Sequence, residues 1–193
     1  MKTLLMAAVS AASLVATAAA AQEALQAGWY VRGDAGATFD SKVGGSAGPR
    51  SDSGWTGGVG VGRNFGNGWR VEGQALYLDN DAKHSQGATK VTAGFANVLY
   101  DFRRDTAWQP FVGAGVGVAQ VKIDGNNAPV QGDHTGFAYQ VQAGVAHPFT
   151  NRLIGEVAYR YIDVTDVNIG SGANRLHGDY TTSAVTVGLR YAF

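Results

Sequence analysis

The sequence predicts an all-β fold, an eight-stranded antiparallel up-and-down transmembrane β-barrel, and three observations carry that prediction. From residue 28 onward apolar residues recur with a period of two and never with a helical period. The alternating stretches are joined in turn by short connections and by long, polar ones. Within each stretch bulky apolar residues gather on one face, and small or polar residues on the other.

The first residues stand apart. MKTLL carries one positive charge at Lys2, and MAAVSAASLVATAAAA follows without another. A charged start, a short apolar run and an Ala-x-Ala pattern mark residues 1–21 as an export signal, cut after Ala21. That leaves 22–193 as one barrel domain. The apolar run is too short for a membrane helix with proper flanks.

The predicted strands are 28–39, 54–65, 69–79, 91–102, 109–123, 135–149, 152–163 and 180–193. Each has enough residues to cross a bilayer at a steep tilt, which takes about 9–11. Strands two and three meet through Gly66-Asn67-Gly68, six and seven through Thr150-Asn151, and four and five through RRDTAW. The other links, 40–53, 80–90, 124–134 and 164–179, are long and rich in Gly, Asn, Asp and Ser. With an even number of strands, both chain ends share the short-turn side. Short turns towards the periplasm and long loops outward is the plan of an outer-membrane barrel.

A soluble barrel, apolar inside and polar outside, is the rival. Side-chain volume decides against it. Trp29, Val31, Ala35, Ala37 and Phe39 share one face; so do Phe137, Tyr139, Val141, Ala143 and Val145, and Leu153, Val157, Tyr159 and Tyr161. Opposite faces carry Gly58, Gly60 and Gly62, and Gly113, Gly115 and Gly117. Eight strands enclose a space just wide enough for side chains, so the glycine-rich faces belong inside and the bulky ones against lipid.

On the inward stripe sit Arg32, Asp34, Arg70, Glu72, Gln74, Asn97, Asp101, Gln140, Gln142, Glu156, Arg160 and Arg190. The charged members divide into four bases and four acids, which pair as a polar plug; unpaired charges in so confined a space would be costly. In the last strand Val185, Val187, Leu189 and Tyr191 face lipid, while Arg190 points inward to a carboxylate such as Glu156 or Glu72. Aromatics mark both strand ends. Trp29, Phe65, Trp69, Phe102, Trp108, Phe149, Tyr191 and Phe193 lie near the short turns, and Phe39, Trp55, Tyr77, Phe137, Tyr161 and Tyr180 near the long loops. Two aromatic girdles suit the two membrane interfaces.

GWYVRGDAGATF, NVLYDF, PFVGAGVGVA and the final VGLRYAF resemble OmpA-type and opacity-type outer-membrane β-barrels, over essentially all of the chain after the signal. The resemblance implies an eight-stranded barrel of the Gram-negative outer membrane with no large pore. It also implies that Leu189, Tyr191 and Phe193 form the signal read by the barrel-assembly machinery. The sequence departs from full-length OmpA by stopping at Phe193, with no peptidoglycan-binding domain after it.

Composition narrows the function. Arg plus Lys and Asp plus Glu number 15 each, and removing the signal with its single Lys leaves 14 against 15. No basic excess is available for phosphates, so nucleic acid is not an expected partner. The absence of cysteine excludes disulfide scaffolds and thiolate chemistry. Charged residues are only 16% of the chain, as expected where lipid replaces water over much of the surface.

Three classes remain: a structural and surface-interaction barrel, a narrow or gated small-solute pore, and a lipid-modifying enzyme. The enzyme requires a nucleophile, a histidine and a carboxylate held together. Ser171 and Ser183 lie near His177 and Asp179 in the chain, without a spacing that commends them. His84, His134 and His177 show no metal-ligand spacing, and His147 beside Pro148 reads as structural. The glycine runs GGVGVGRNFG and VGAGVGVA lie within strands and open no helix, so they are not nucleotide loops. The first class is the one the sequence supports, without catalysis or cofactor. Its partners are outer-membrane lipid and lipopolysaccharide, the assembly machinery, and host or neighbouring surface proteins met by the loops.

Overall fold

The computed structural model describes residues 27–43, 50–81, 88–102, 106–124, 132–169 and 176–193. They form eight strands: β1 (Gly28–Val43), β2 (Arg50–Asn64), β3 (Trp69–Asp81), β4 (Ala88–Asp101), β5 (Gln109–Asp124), β6 (Gly132–Pro148), β7 (Leu153–Ile169) and β8 (Leu176–Ala192). Each pairs antiparallel with its neighbours in sequence, and β1 pairs with β8 to close the barrel. Closure leaves no unpaired edge, the condition for strands in a hydrocarbon medium. Among the described residues no helix is long and apolar enough to cross a membrane.

Turn chemistry fixes the short-turn end. Gly66 and Gly68 hold φ at 76° and 100°, the left-handed region that side chains disfavour. Between them Asn67 accepts a hydrogen bond from the Trp69 amide through its side-chain oxygen at 3.2 Å, and Asn64 accepts one from the Gly66 amide at 2.9 Å. At the β6–β7 turn the Thr150 hydroxyl oxygen accepts from the Leu153 amide at 2.9 Å. The Phe193 amide donates to the Trp29 carbonyl at 3.1 Å, which ties the end of the last strand to the start of the first.

At the other end the strands outrun the sequence prediction. They are 13 to 17 residues long, and the surplus lies towards the long loops. The apolar alternation that marks a strand stops where lipid stops, whereas the hydrogen-bond ladder continues into water. The predicted loops 40–53, 80–90, 124–134 and 164–179 therefore begin and end as strand.

The two faces sort cleanly. Val31, Val59, Val61, Val98, Val116, Val118, Val141, Val157, Val187 and Leu189 are all exposed on the exterior, Val187 at 61%. So wide an apolar surface would not survive in water; it is a lipid-facing belt. Trp29, Phe65, Trp69, Phe102, Trp108, Phe149, Tyr191 and Phe193 are exposed at its short-turn margin, and Phe39, Trp55 and Phe137 at the other. Tyr180 is a correction: it is buried in the lumen instead of joining the outer girdle. It lies on the inward parity of β8, where it packs with Leu78, Val91, Val121 and Val164.

The barrel wall tests the inward glycines directly. A Cβ added at Gly117 would strike the Gly94 carbonyl oxygen of the neighbouring strand, whereas one added at Gly94, on the outer face, meets nothing within 4 Å. Gly117→Val is expected to abolish the heat-modifiable folded species on unboiled gels, and Gly94→Val to preserve it. Equal folding of the two would contradict this account of the wall.

Candidate functional site: the charged lumen

Four arginines and four carboxylates meet inside the barrel, all on inward-facing strand positions. Arg32 on β1 and Arg190 on β8 are direct register partners, so two guanidinium groups face each other across the closing seam. Like charges in that arrangement repel. Glu156 of β7 separates them: its carboxylate lies 2.9 Å from Arg32 Nε and 3.4 Å from Arg190 Nε, with Arg70 at 3.7 Å. Arg32 also reaches Glu72 at 3.2 Å and Asp34 at 3.6 Å.

Arg70 has the firmest pairing. Its Nε and Nη2 lie 2.8 Å from the two oxygens of Asp101, a fork-to-fork contact. Arg190 approaches the same carboxylate at 3.7 Å. Of the two carboxylates expected for Arg190, the structure supplies Glu156, and Asp101 takes the place of Glu72. Arg160 pairs with Asp34 at 3.3 Å.

Amides extend the network away from the charges. Gln74 donates to Asp34 at 3.3 Å, and its oxygen accepts from Gln140 at 3.0 Å and from Asn97 at 3.4 Å. Gln140 also donates to the Asn97 oxygen at 2.6 Å. Gln142 is buried in the same layer, but among the described residues neither end of its amide finds a hydrogen-bond partner. Eleven of the twelve residues named from the sequence are thus joined by ion pairs or hydrogen bonds, and Gln142 lies beside Arg160 in the register without joining them.

Sequence reasoning missed Tyr30. Its hydroxyl donates to Glu72 at 2.9 Å and accepts from Arg70 at 3.3 Å, while its ring lies under the Arg70 and Arg190 guanidinium groups. The inward parity of β1 was its only signal. Two apolar clusters were missed as well. Leu76, Leu78, Val91, Phe95, Val121, Ile162 and Tyr180 fill the lumen on the long-loop side of the charges. Leu99, Phe111, Ala146, Ile154 and Ala158 pack beside them on the short-turn side.

Glycines make the space. A Cβ at Gly62 would collide with the Tyr30 hydroxyl end, and one at Gly115 with the Asn97 amide. The lumen is therefore packed around its polar side chains, and the arrangement is chemically one of mutual neutralisation. The other sequence candidates are dispersed. Ser183 Oγ lies 2.9 Å from the Tyr159 hydroxyl, His147 holds the Ala107 carbonyl at 2.8 Å, and Ser171 and His84 lie outside the described residues. His177 lies in β8. Among the described residues no three His, Asp or Glu gather as a metal site.

A closed eight-stranded barrel with an apolar exterior and a charged interior matches one known design. A model of the outer membrane protein beta-barrel domain matches residues 7–193. The chain belongs to this outer-membrane barrel family. It is 32% identical over 180 residues to an outer membrane protein of Gluconacetobacter diazotrophicus, covering 75% of this chain and 48% of that one. It is 28% identical over 139 residues to the outer membrane protein PagN of Salmonella typhimurium, covering 63% and 58%. The chain thus spans about half the length of these relatives. Neisserial surface protein A shares the fold, with a TM-score of 0.67 at 18% identity over 86% of this chain and 97% of that one. The barrel is a protein of the Gram-negative outer membrane.

Removing one member of the network should expose its mutual dependence. Glu156→Gln leaves four buried bases against three acids, and loss of one partner of a buried pair costs about 3–5 kcal/mol. Urea unfolding of the barrel in lipid should show a loss of that size with β-rich circular dichroism retained. A loss within the range of a surface pair, about 0–1 kcal/mol, would contradict the role given to Glu156.

Proposed function

We propose that this barrel is a structural and surface-interaction protein of the outer membrane, without catalytic activity, whose lumen is a permanent plug. The observation that carries this reading is the filled interior: a charge layer with one apolar cluster on its long-loop side and a second packed among its members, with Arg70 and Arg160 wholly buried. Eight strands leave no aqueous channel once side chains fill the space. What remains accessible from outside the cell is the set of four long connections, and those are the surfaces that meet lipopolysaccharide, host molecules or neighbouring surface proteins. Residues 1–21 lie outside the described residues and serve, on this reading, as the export signal.

Conductance measures the plug. Purified protein in a planar lipid bilayer is expected to give no steady open steps. Steady steps would assign the narrow-pore function instead.

The same reading gives Leu189, Tyr191 and Phe193 a second task. Leu189 and Tyr191 share the outward face of β8, Phe193 follows directly after it, and all three are exposed, which supports their recognition by the barrel-assembly machinery before lipid covers them. Phe193→Ser is expected to lower the amount of barrel inserted in cells while leaving the heat-modifiable migration of inserted molecules unchanged. Wild-type insertion of this variant would remove the proposal.

A further inference from the structure

The lipid-facing wall is not evenly ridged. An open groove of about 780 Å³ crosses the exterior of β1, β8, β7 and β6. Its floor follows from the register: Gly33 lies beside Leu189, Leu189 beside Gly155, and Gly155 beside His147. Gly33 leaves bare backbone on one side of Leu189, and on the other side the Phe149 ring lies over Gly155. A Cβ at Gly33 would meet nothing within 4 Å. Val157 and Val187 flank the floor on the next row.

At the short-turn end the groove is closed by rings. Trp108, His147 and Phe149 stand in series, with centroids 4.8 Å and 5.4 Å apart. The His147 ring is fixed by its contact with the Ala107 carbonyl. Beyond them Arg152 is exposed in the β6–β7 turn. With Arg63 of β2 it makes the exterior side-chain charge at this rim cationic among the described residues. The volume falls within the roughly 300–1,000 Å³ of ordinary ligand sites.

We propose that this groove binds one phospholipid of the periplasmic leaflet, an acyl chain lying over Gly33 between Leu189 and the Phe149 ring and the phosphate meeting Arg152. The lining selects an apolar chain, and the short-turn rim places a headgroup on the periplasmic side. Charge complementarity selects an anionic phosphate. A second barrel is the poorer occupant: a two-fold contact along this groove would bring the Arg152 residues of both copies towards each other.

The test is native mass spectrometry of the whole barrel released from mild detergent, with phosphatidylglycerol and phosphatidylethanolamine supplied in turn. Gly33→Leu fills the groove. Gly94→Leu, on β4 outside the groove and equally free of neighbours within 4 Å, is the matched control. Wild type and Gly94→Leu should retain one phospholipid. Gly33→Leu should reduce retention about tenfold or more, the effect of displacing about two buried methylenes. Ala35→Leu, in the same groove, should do likewise, and serves if Gly33→Leu fails to show heat-modifiable migration. Arg152→Gln should abolish the preference for phosphatidylglycerol. Equal retention by the groove and control variants, or a dimer without bound lipid, would overturn the proposal.

Discussion

Everything inside this barrel depends on the carboxylate of Glu156. The register that closes the cylinder sets Arg32 of β1 opposite Arg190 of β8, and in a medium that screens poorly two apposed cations would hold the seam apart. Glu156 reaches both, and its direct partner on β8 is Gly188, which leaves the carboxylate room to lean across. The seam therefore closes because a charge on the seventh strand lies between charges on the first and eighth. Arg70, Arg160, Asp101, Glu72 and Asp34 then complete the balance in a layer whose members are all removed from solvent.

Lipid contact reverses the usual relation between burial and polarity. The apolar side chains that would form the core of a soluble domain are spread over the exterior, so the interior must hold together by other means. Charge pairing alone is a weak stabiliser, because desolvation opposes it. The two apolar clusters above and beside the charges supply ordinary packing, and Phe111 of the second lies, like Tyr30, against the Arg70 guanidinium. The plug is thus a composite, apolar towards the long loops and ionic with interleaved apolar side chains towards the short turns.

How much of this was legible in the sequence depended on range. Parity within a strand is local, so the inward placement of Arg32, Glu72 or Arg190 could be read from neighbours two residues away. Partner choice is not local. That Arg190 meets Glu156 and Asp101, and not Glu72, follows from strand tilt and register around a closed cylinder, which no single stretch encodes. Tyr30 was hidden because a tyrosine at a strand end reads equally well as girdle or lumen, and Tyr180 was misplaced for the same reason. Strand ends near the long loops were invisible for a different cause: outside lipid, both faces of a hairpin meet water and the alternation vanishes.

The size of the network also bears on whether anything can open it. Freeing a pathway would require at least one base or acid to leave its partners, at a cost of about 3–5 kcal/mol for a buried pair. A membrane potential supplies about 2.3 kcal/mol per 100 mV to a charge that crosses the whole membrane. A side chain swinging within one layer crosses only a small fraction of that distance and gains a correspondingly small fraction of that energy. Voltage is therefore too weak a lever, and the apolar clusters would still block the lumen after any single pair had parted. On the proposed reading, a barrel built this way keeps its interior fixed and leaves molecular recognition to its rims and its outer wall.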